Sequence, residues 1–220
     1  MKDKAVIWDM DGIIANTGPC HLKGWQIVFR RWGSDYTEDD YWRNTGKRSD
    51  SIVRNIMGAD ISAEDTDKIV REKDETFQEL IVNNIETFPG VLELTAELKK
   101  DGFKMAVASS APMKNIQIII KGLKIDQLFD AIISGWEVTK GKPDPQTFLL
   151  AAERLGMSPD NCIVIEDAIS GVAASKRAGM RCIAVTNTTT PEELKAADVI
   201  TDSLAKITVA DIDKLLNGNK

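Results

Sequence analysis

Apolar and polar positions follow two different patterns along this chain. Ala5-Val6-Ile7-Trp8 is a short run with no polar break, as in a strand buried on both faces. Residues 17–86 then carry only helical periodicity. Leu22, Trp25, Ile27, Val28, Phe29 and Trp32 recur on one face over 17–32, and Gly33-Ser34-Asp35 ends that helix. A polar segment at 37–43 predicts a short helix. Ser49 or Asp50 caps a further helix through Met57, closed by Gly58. Ser62, with acids in the following turn, opens a long helix running towards Asn83.

From Phe88-Pro89-Gly90 onward helices alternate with short apolar strands. The pattern predicts helices over 91–100, 112–121, 145–155, 168–178, 191–196 and 211–216. It predicts strands over 105–108, 131–133, 162–165, 182–185 and, at an edge, 198–200. Such alternation implies a parallel sheet covered on both faces, with right-handed crossovers and a ligand site beyond the carboxyl ends of the strands. The strand at 5–8 has no local partner and must join that sheet. Residues 1–16 and 87–220 are therefore expected to form one α/β domain. Residues 17–86 are expected to form an all-helical cap, inserted beside the carboxyl end of the first strand.

Polar residues collect at those ends. Asp9, Asp11 and Gly12 follow the first strand, Ser109 and Ser110 the second, and Glu166 and Asp167 the strand at 162–165. Lys142 lies in Gly141-Lys142-Pro143-Asp144-Pro145, on the loop after the strand at 131–133. Each has a plain structural reading: Ser109 as an N-cap, Lys142 as a surface lysine, Glu166-Asp167 as helix-start acids, Asp9 and Asp11 as turn formers. Together, at four strand ends of one sheet, acid pairs, a hydroxyl and a lysine describe a site for a divalent metal and a phosphoryl group. Two close carboxylates raise each other's proton affinity, a penalty that a hard cation with oxygen ligands removes.

Composition narrows the partners. A formal net charge of −6 and a pI near 5.0 argue against nucleic acid as a ligand. No run approaches the roughly 18 apolar residues of a membrane span, and no charged-then-apolar leader is visible. Cys20, Cys162 and Cys182 are odd in number and lack metal or disulfide spacing, which fits a reducing cytoplasm. The phosphoryl site at the strand ends, rather than composition, makes a small phosphorylated metabolite the expected partner, and the expected state is a monomer.

The four segments Trp8-Asp9-Met10-Asp11-Gly12, Ala108-Ser109-Ser110, Gly141-Lys142-Pro143-Asp144-Pro145 and Ile165-Glu166-Asp167-Ala168-Ile169-Ser170-Gly171 resemble the ordered motifs of the haloacid dehalogenase (HAD) superfamily. Within it the chain is similar to the β-phosphoglucomutase-like phosphatases over essentially its whole length. The resemblance implies a Rossmannoid three-layer α/β/α core with a helical cap. It implies that Asp9 is the nucleophile of an aspartyl-phosphate mechanism, that Asp11 is the acid and then the base, and that Ser109 and Lys142 hold phosphoryl oxygens. Mg²⁺ would be bound by Asp9, the Asp11 carbonyl and Asp167, with Glu166 as a ligand or as support to one. Gly12 and Ser110 would line the phosphate site, and Thr17, His21 and Arg48 match cap positions that contact substrate.

Asp11 argues against dehalogenase and phosphonate chemistry, neither of which needs a carboxylic acid there. Arg48 sits in Gly46-Lys47-Arg48-Ser49, which matches the cap loop that grips a distal phosphate in the mutases. The loop is one residue shorter than the mutase pattern. Lys73, in a helix rich in charges, reads as a solvated face residue. Ala111 and Pro112 replace the Ser and Lys of the mutase pattern, so the expected activity is a Mg²⁺-dependent phosphatase on a phosphosugar, with a β-phosphoglucomutase-type mutase as the alternative.

Overall fold

The computed structural model describes residues 4–45 and 47–218; Gly46, in the loop just discussed, lies outside the described residues, as do 1–3 and 219–220. The chain divides into two compact units. One comprises Met1–Asn16 with Glu86–Lys220, and the other Thr17–Ile85.

The first unit holds six parallel strands: β1 (Ala5–Trp8), β2 (Lys104–Ala108), β3 (Ala131–Ile133), β4 (Cys162–Glu166), β5 (Arg181–Val185) and β6 (Val199–Thr201). Their order is β3-β2-β1-β4-β5-β6, so β1 is central and β6 is an edge strand. Helices α5 (Val91–Lys100), α6 (Met113–Gly122), α7 (Gln146–Leu155), α8 (Ile169–Arg177) and α9 (Val209–Asn217) complete the unit. Alternation along the strands decides which side chains face which helices. Ala5, Ile7, Ala106, Ala108, Cys162 and Val164 pack with Phe148, Ala151, Leu155 and Ala174 of α7 and α8. Alanines on that sheet face let the helices approach closely.

Register sets the level at which each functional residue leaves the sheet. Trp8 pairs with Val107 on one side and Ile165 on the other. Asp9 therefore emerges level with Ala108 and Glu166, and its amide donates to the Ile165 carbonyl at 3.0 Å. Where the helical segment is inserted, the two connections are zipped together. The Asn16 amide donates to the Glu86 carbonyl at 2.8 Å, and the Thr87 hydroxyl to the Ile14 carbonyl at 2.8 Å.

One expected element is absent. Residues 191–196, predicted as a short helix, form consecutive turns in which the Leu194 amide bonds both the Thr190 and the Pro191 carbonyl. Six residues are too few to offset the cost of helix nucleation. The segment is held instead by Leu194, buried against Val172, Cys182 and Ala184.

The second unit contains α1 (Gly18–Arg31), α2 (Glu38–Asn44), α3 (Ser49–Met57) and α4 (Ala63–Ile81). Trp25, Val28, Phe29, Tyr36, Ile52, Val53, Ile69 and Val70 form its core. Trp25 stacks on Phe29 with ring centroids 5.0 Å apart. Thr37 and Asp40 form a capping box at the start of α2, and the Ser62 hydroxyl accepts from the Asp65 amide at the start of α4. Among the described residues no helix is long and apolar enough to cross a membrane.

Candidate active site

Lys142 is the hub of the strand ends. Its Nζ reaches Asp9 Oδ1, and Glu166 Oε1 at 2.6 Å, with all three side chains buried. Glu166 is held in turn by its other oxygen, which accepts from the amides of Asp167 at 2.7 Å and Ala168 at 2.8 Å. These two amides introduce α8, so the acid after β4 is fixed by backbone as well as by lysine. Gly171, in the first turn of α8, allows this closeness, because a Cβ there would run into the Glu166 carboxylate. Gly171→Ala is expected to cost roughly 1–3 kcal/mol through overpacking. At about 2–4 °C per kcal/mol for a chain of this size, a thermal melt detects it.

The turn after β1 is tight. The amides of Ile13, Ile14 and Ala15 all converge on the Met10 carbonyl, and Gly12 adopts φ +87°. A Cβ at Gly12 would overlap Asp167 Oδ2, so this glycine brings the turn after β1 against the acid after β4. Asp11 Oδ2 accepts from the Ser109 hydroxyl at 3.3 Å, and Ser109 Oγ accepts from the Ala111 amide at 3.0 Å. Ser109 is thus engaged in the turn after β2, while Pro112 occupies the N-cap position of α6. Ser110 is exposed. Its carbonyl lies so close to Gly135 that a Cβ there would collide with it.

Charge is unevenly balanced. Burial is the largest effect on Asp9 and raises its pKa to about 8; Lys142 opposes this, while Glu166 and Asp11 add to it. Burial likewise pushes Asp167 well above the ordinary carboxylate range, with Glu166 and Asp9 contributing in the same direction. Burial lowers Lys142, but Asp9 and Glu166 more than offset that and leave its pKa above the usual lysine value. One ammonium facing Asp9, Glu166 and Asp167 leaves a formal excess of two negative charges when all three acids ionise.

That excess and the oxygen donors fit one divalent hard cation. Among the described residues no three His, Cys, Asp or Glu side chains form a metal cluster. Asp11 turns its carboxylate to Ser109, and Glu166 spends both oxygens on Lys142 and backbone amides. The side-chain donors suited to a cation are therefore Asp9 and Asp167, with Glu166 in the supporting role.

Two residues at this edge escaped the sequence reading. The Thr188 hydroxyl donates to Asp167 Oδ2 at 2.5 Å, and Asn187 Nδ2 donates to the Gly12 carbonyl at 2.7 Å. Both follow β5, a fifth strand end whose polar run Thr186–Thr190 was the available signal.

Thr17, His21 and Arg48 belong to the helical unit. Thr17 is buried at the N-cap position of α1, and its carbonyl accepts from the His21 amide at 2.9 Å. His21 stacks on Phe77 with centroids 4.1 Å apart, and its Nδ1 lies 2.9 Å from Lys73 Nζ. Lys73 is 4% exposed, not a solvated face residue. It lies over the rings of Trp25 and Phe77, 5.3 and 5.1 Å from their centroids, and 3.5 Å from Asp74. Arg48 occupies the N-cap position of α3, with its Nε 3.3 Å from Asp50 Oδ1.

The family model for haloacid dehalogenase-like hydrolases matches residues 6–185. Among curated proteins, the phosphorylated carbohydrates phosphatase of Thermotoga maritima is 35% identical over 184 residues, covering 82% of this chain and 83% of that one. The chloroplastic protein SUPPRESSOR OF QUENCHING 1 of Arabidopsis thaliana is 36% identical over 96% of this chain, which spans only 21% of that longer protein. Among solved structures, β-phosphoglucomutase from Clostridium difficile superposes with a TM-score of 0.88 at 28% identity, covering 98% of each chain.

Proposed function

The chain belongs to the haloacid dehalogenase-like hydrolases, and from that premise we propose that it is a Mg²⁺-dependent phosphatase of small phosphosugars, acting through an aspartyl-phosphate on Asp9. The observation that carries this reading is Lys142 bridging Asp9 and Glu166 at the carboxyl edge of β1 and β4, with Asp11 two residues beyond Asp9. A carboxylate oxygen of Asp9 attacks phosphorus while the bond to the leaving oxygen breaks. Asp11 gives that oxygen its proton. Water then attacks the phosphorus of the acyl phosphate, Asp11 takes back a proton, and the bond from Asp9 to phosphorus breaks to release inorganic phosphate. Lys142 and Ser109 hold the charge on the phosphoryl oxygens.

Asp9 and Asp167, with the Asp11 carbonyl that the family resemblance adds, would hold Mg²⁺. Once bound, the ion supplies positive charge that keeps Asp9 ionised and stabilises the transferring phosphoryl group. Substrate choice is assigned to the helical unit, through Thr17, His21 and Arg48. The sugar-phosphate class is supported by the Thermotoga maritima relative.

A phosphomutase is the second reading, favoured by Arg48 and the likeness to β-phosphoglucomutase. The two separate in one assay with Mg²⁺, β-glucose 1-phosphate and a trace of the bisphosphate. Release of inorganic phosphate, extended to a panel of phosphosugars, is the expected result. Glucose 6-phosphate accumulating without phosphate release would establish the mutase instead.

A further inference from the structure

We infer that Thr188, on the loop after β5, is a positioning residue that sets the divalent-cation affinity of the site by orienting the carboxylate of Asp167. The inference rests on the metal reading above and adds to it a residue from a fifth strand end.

The Thr188 hydroxyl donates to Asp167 Oδ2 at 2.5 Å and lies 3.3 Å from the Asp167 carbonyl. Gly12 packs against the same oxygen, since a Cβ there would overlap Oδ2, and would stand 3.1 Å from the Thr188 methyl carbon. Oδ2 is therefore occupied from two sides, which leaves Oδ1 as the oxygen of this carboxylate to offer a cation. A rotating carboxylate loses conformational freedom when it binds a metal. One already pinned through its second oxygen does not, and partners of this kind typically change metal affinity about 10–100-fold.

The loop that delivers Thr188 is itself anchored. Asn187 Nδ2 donates to the Gly12 carbonyl, and the Thr186 amide donates to the Thr201 carbonyl of β6 at 3.0 Å. Thr188 thus stands on a segment tied both to the nucleophile turn and to the sheet. Its hydroxyl makes no bond to phosphorus and carries no proton in the reaction. It acts only through Asp167.

The test is the apparent Mg²⁺ dissociation constant obtained from the logarithmic rise of Tm with MgCl₂ concentration, a readout that needs no substrate. It is measured for the whole protein and for Thr188→Val, Thr188→Ser and Asp167→Asn. Thr188→Val keeps the shape and removes the donor, and is expected to raise that constant about 10–100-fold. Thr188→Ser keeps the hydroxyl and is expected to stay within about threefold of wild type, against the same scale. At saturating Mg²⁺, kcat of Thr188→Val is expected to return close to wild type, whereas loss of a direct role in the reaction would leave kcat low.

An unchanged apparent dissociation constant in Thr188→Val, with a normal wild-type response lost in Asp167→Asn, would overturn this inference alone. A shift as large in Thr188→Ser as in Thr188→Val would also overturn it. No Mg²⁺ response in the wild type would overturn the metal reading and this inference with it.

Discussion

Asp9→Asn is expected to abolish phosphate release, by on the order of 10⁴-fold or more, the scale on which removal of a nucleophile acts. An amide cannot form the acyl phosphate, so no slow covalent route remains. The same substitution has a second signature in stability. Asp9 holds its proton up to about pH 8 in the folded chain because it is buried and close to Glu166 and Asp11. In the unfolded chain an aspartate releases its proton near pH 4. Between those values the folded state binds the extra proton, so without divalent cations stability falls as pH rises from about 4 to about 8. Asp167 is shifted in the same direction and adds to the slope. Asp9→Asn removes one contributor and flattens the slope of Tm against pH, and Mg²⁺ flattens it in the wild type. An active Asp9→Asn protein would remove the aspartyl-phosphate from the mechanism.

Lys142→Met is expected to produce the largest loss of stability of any single change at the site. The lysine is 5% exposed and holds two carboxylates of similar burial. Removing one partner of a buried ion pair typically costs about 3–5 kcal/mol, because the charges left behind have no counterion. For a chain of this length that corresponds to a fall in Tm of roughly 10 °C. The loss is expected to be greatest above pH 8, where Asp9 ionises, and smaller near pH 6, where Asp9 takes up a proton and relieves the repulsion. Activity at pH 7 should fall on the order of 10²–10³-fold, the scale for removing one electrostatic stabiliser of a transition state. Adding Asp9→Asn to Lys142→Met is expected to recover part of the Tm, since one unmatched charge is then gone. A single variant as stable as wild type at pH 8 would mean that the lysine is not the counterion of this pair.

Much of this architecture is legible in the amino-acid sequence. The strands at 5–8 and 131–133 and the helix at 91–100 occur as the hydrophobic pattern predicts. A strand buried on both faces must be apolar throughout, and a helix covering it must repeat its apolar face. The pattern failed at 191–196, where Leu194 meets the sheet through turns and the surrounding residues are polar threonine, glutamate and lysine. It also failed at Lys73. A lysine among acids on a helix reads as solvated, and nothing local records that His21, Trp25 and Phe77 surround it.

The sequence by itself determined the class of fold and the alternation of helices with apolar strands that builds it. These follow from short-range physics, because burial periodicity and chain punctuation are properties of neighbouring residues. Only the tertiary structure decided how the polar residues at the strand ends divide the work. The register of β1 with β2 and β4 brings Asp9 level with Glu166, and Lys142 reaches both from a distant loop. Gly12 and Gly171 look alike as letters, yet each removes a Cβ that would strike a different carboxylate. Thr188 carries no motif at all, and its contact with Asp167 exists because β5 lies beside β4 in the sheet. Such contacts depend on strand order and on the direction of side chains at the sheet edge. Those are set by packing of the whole sheet, and no segment of the chain encodes them alone.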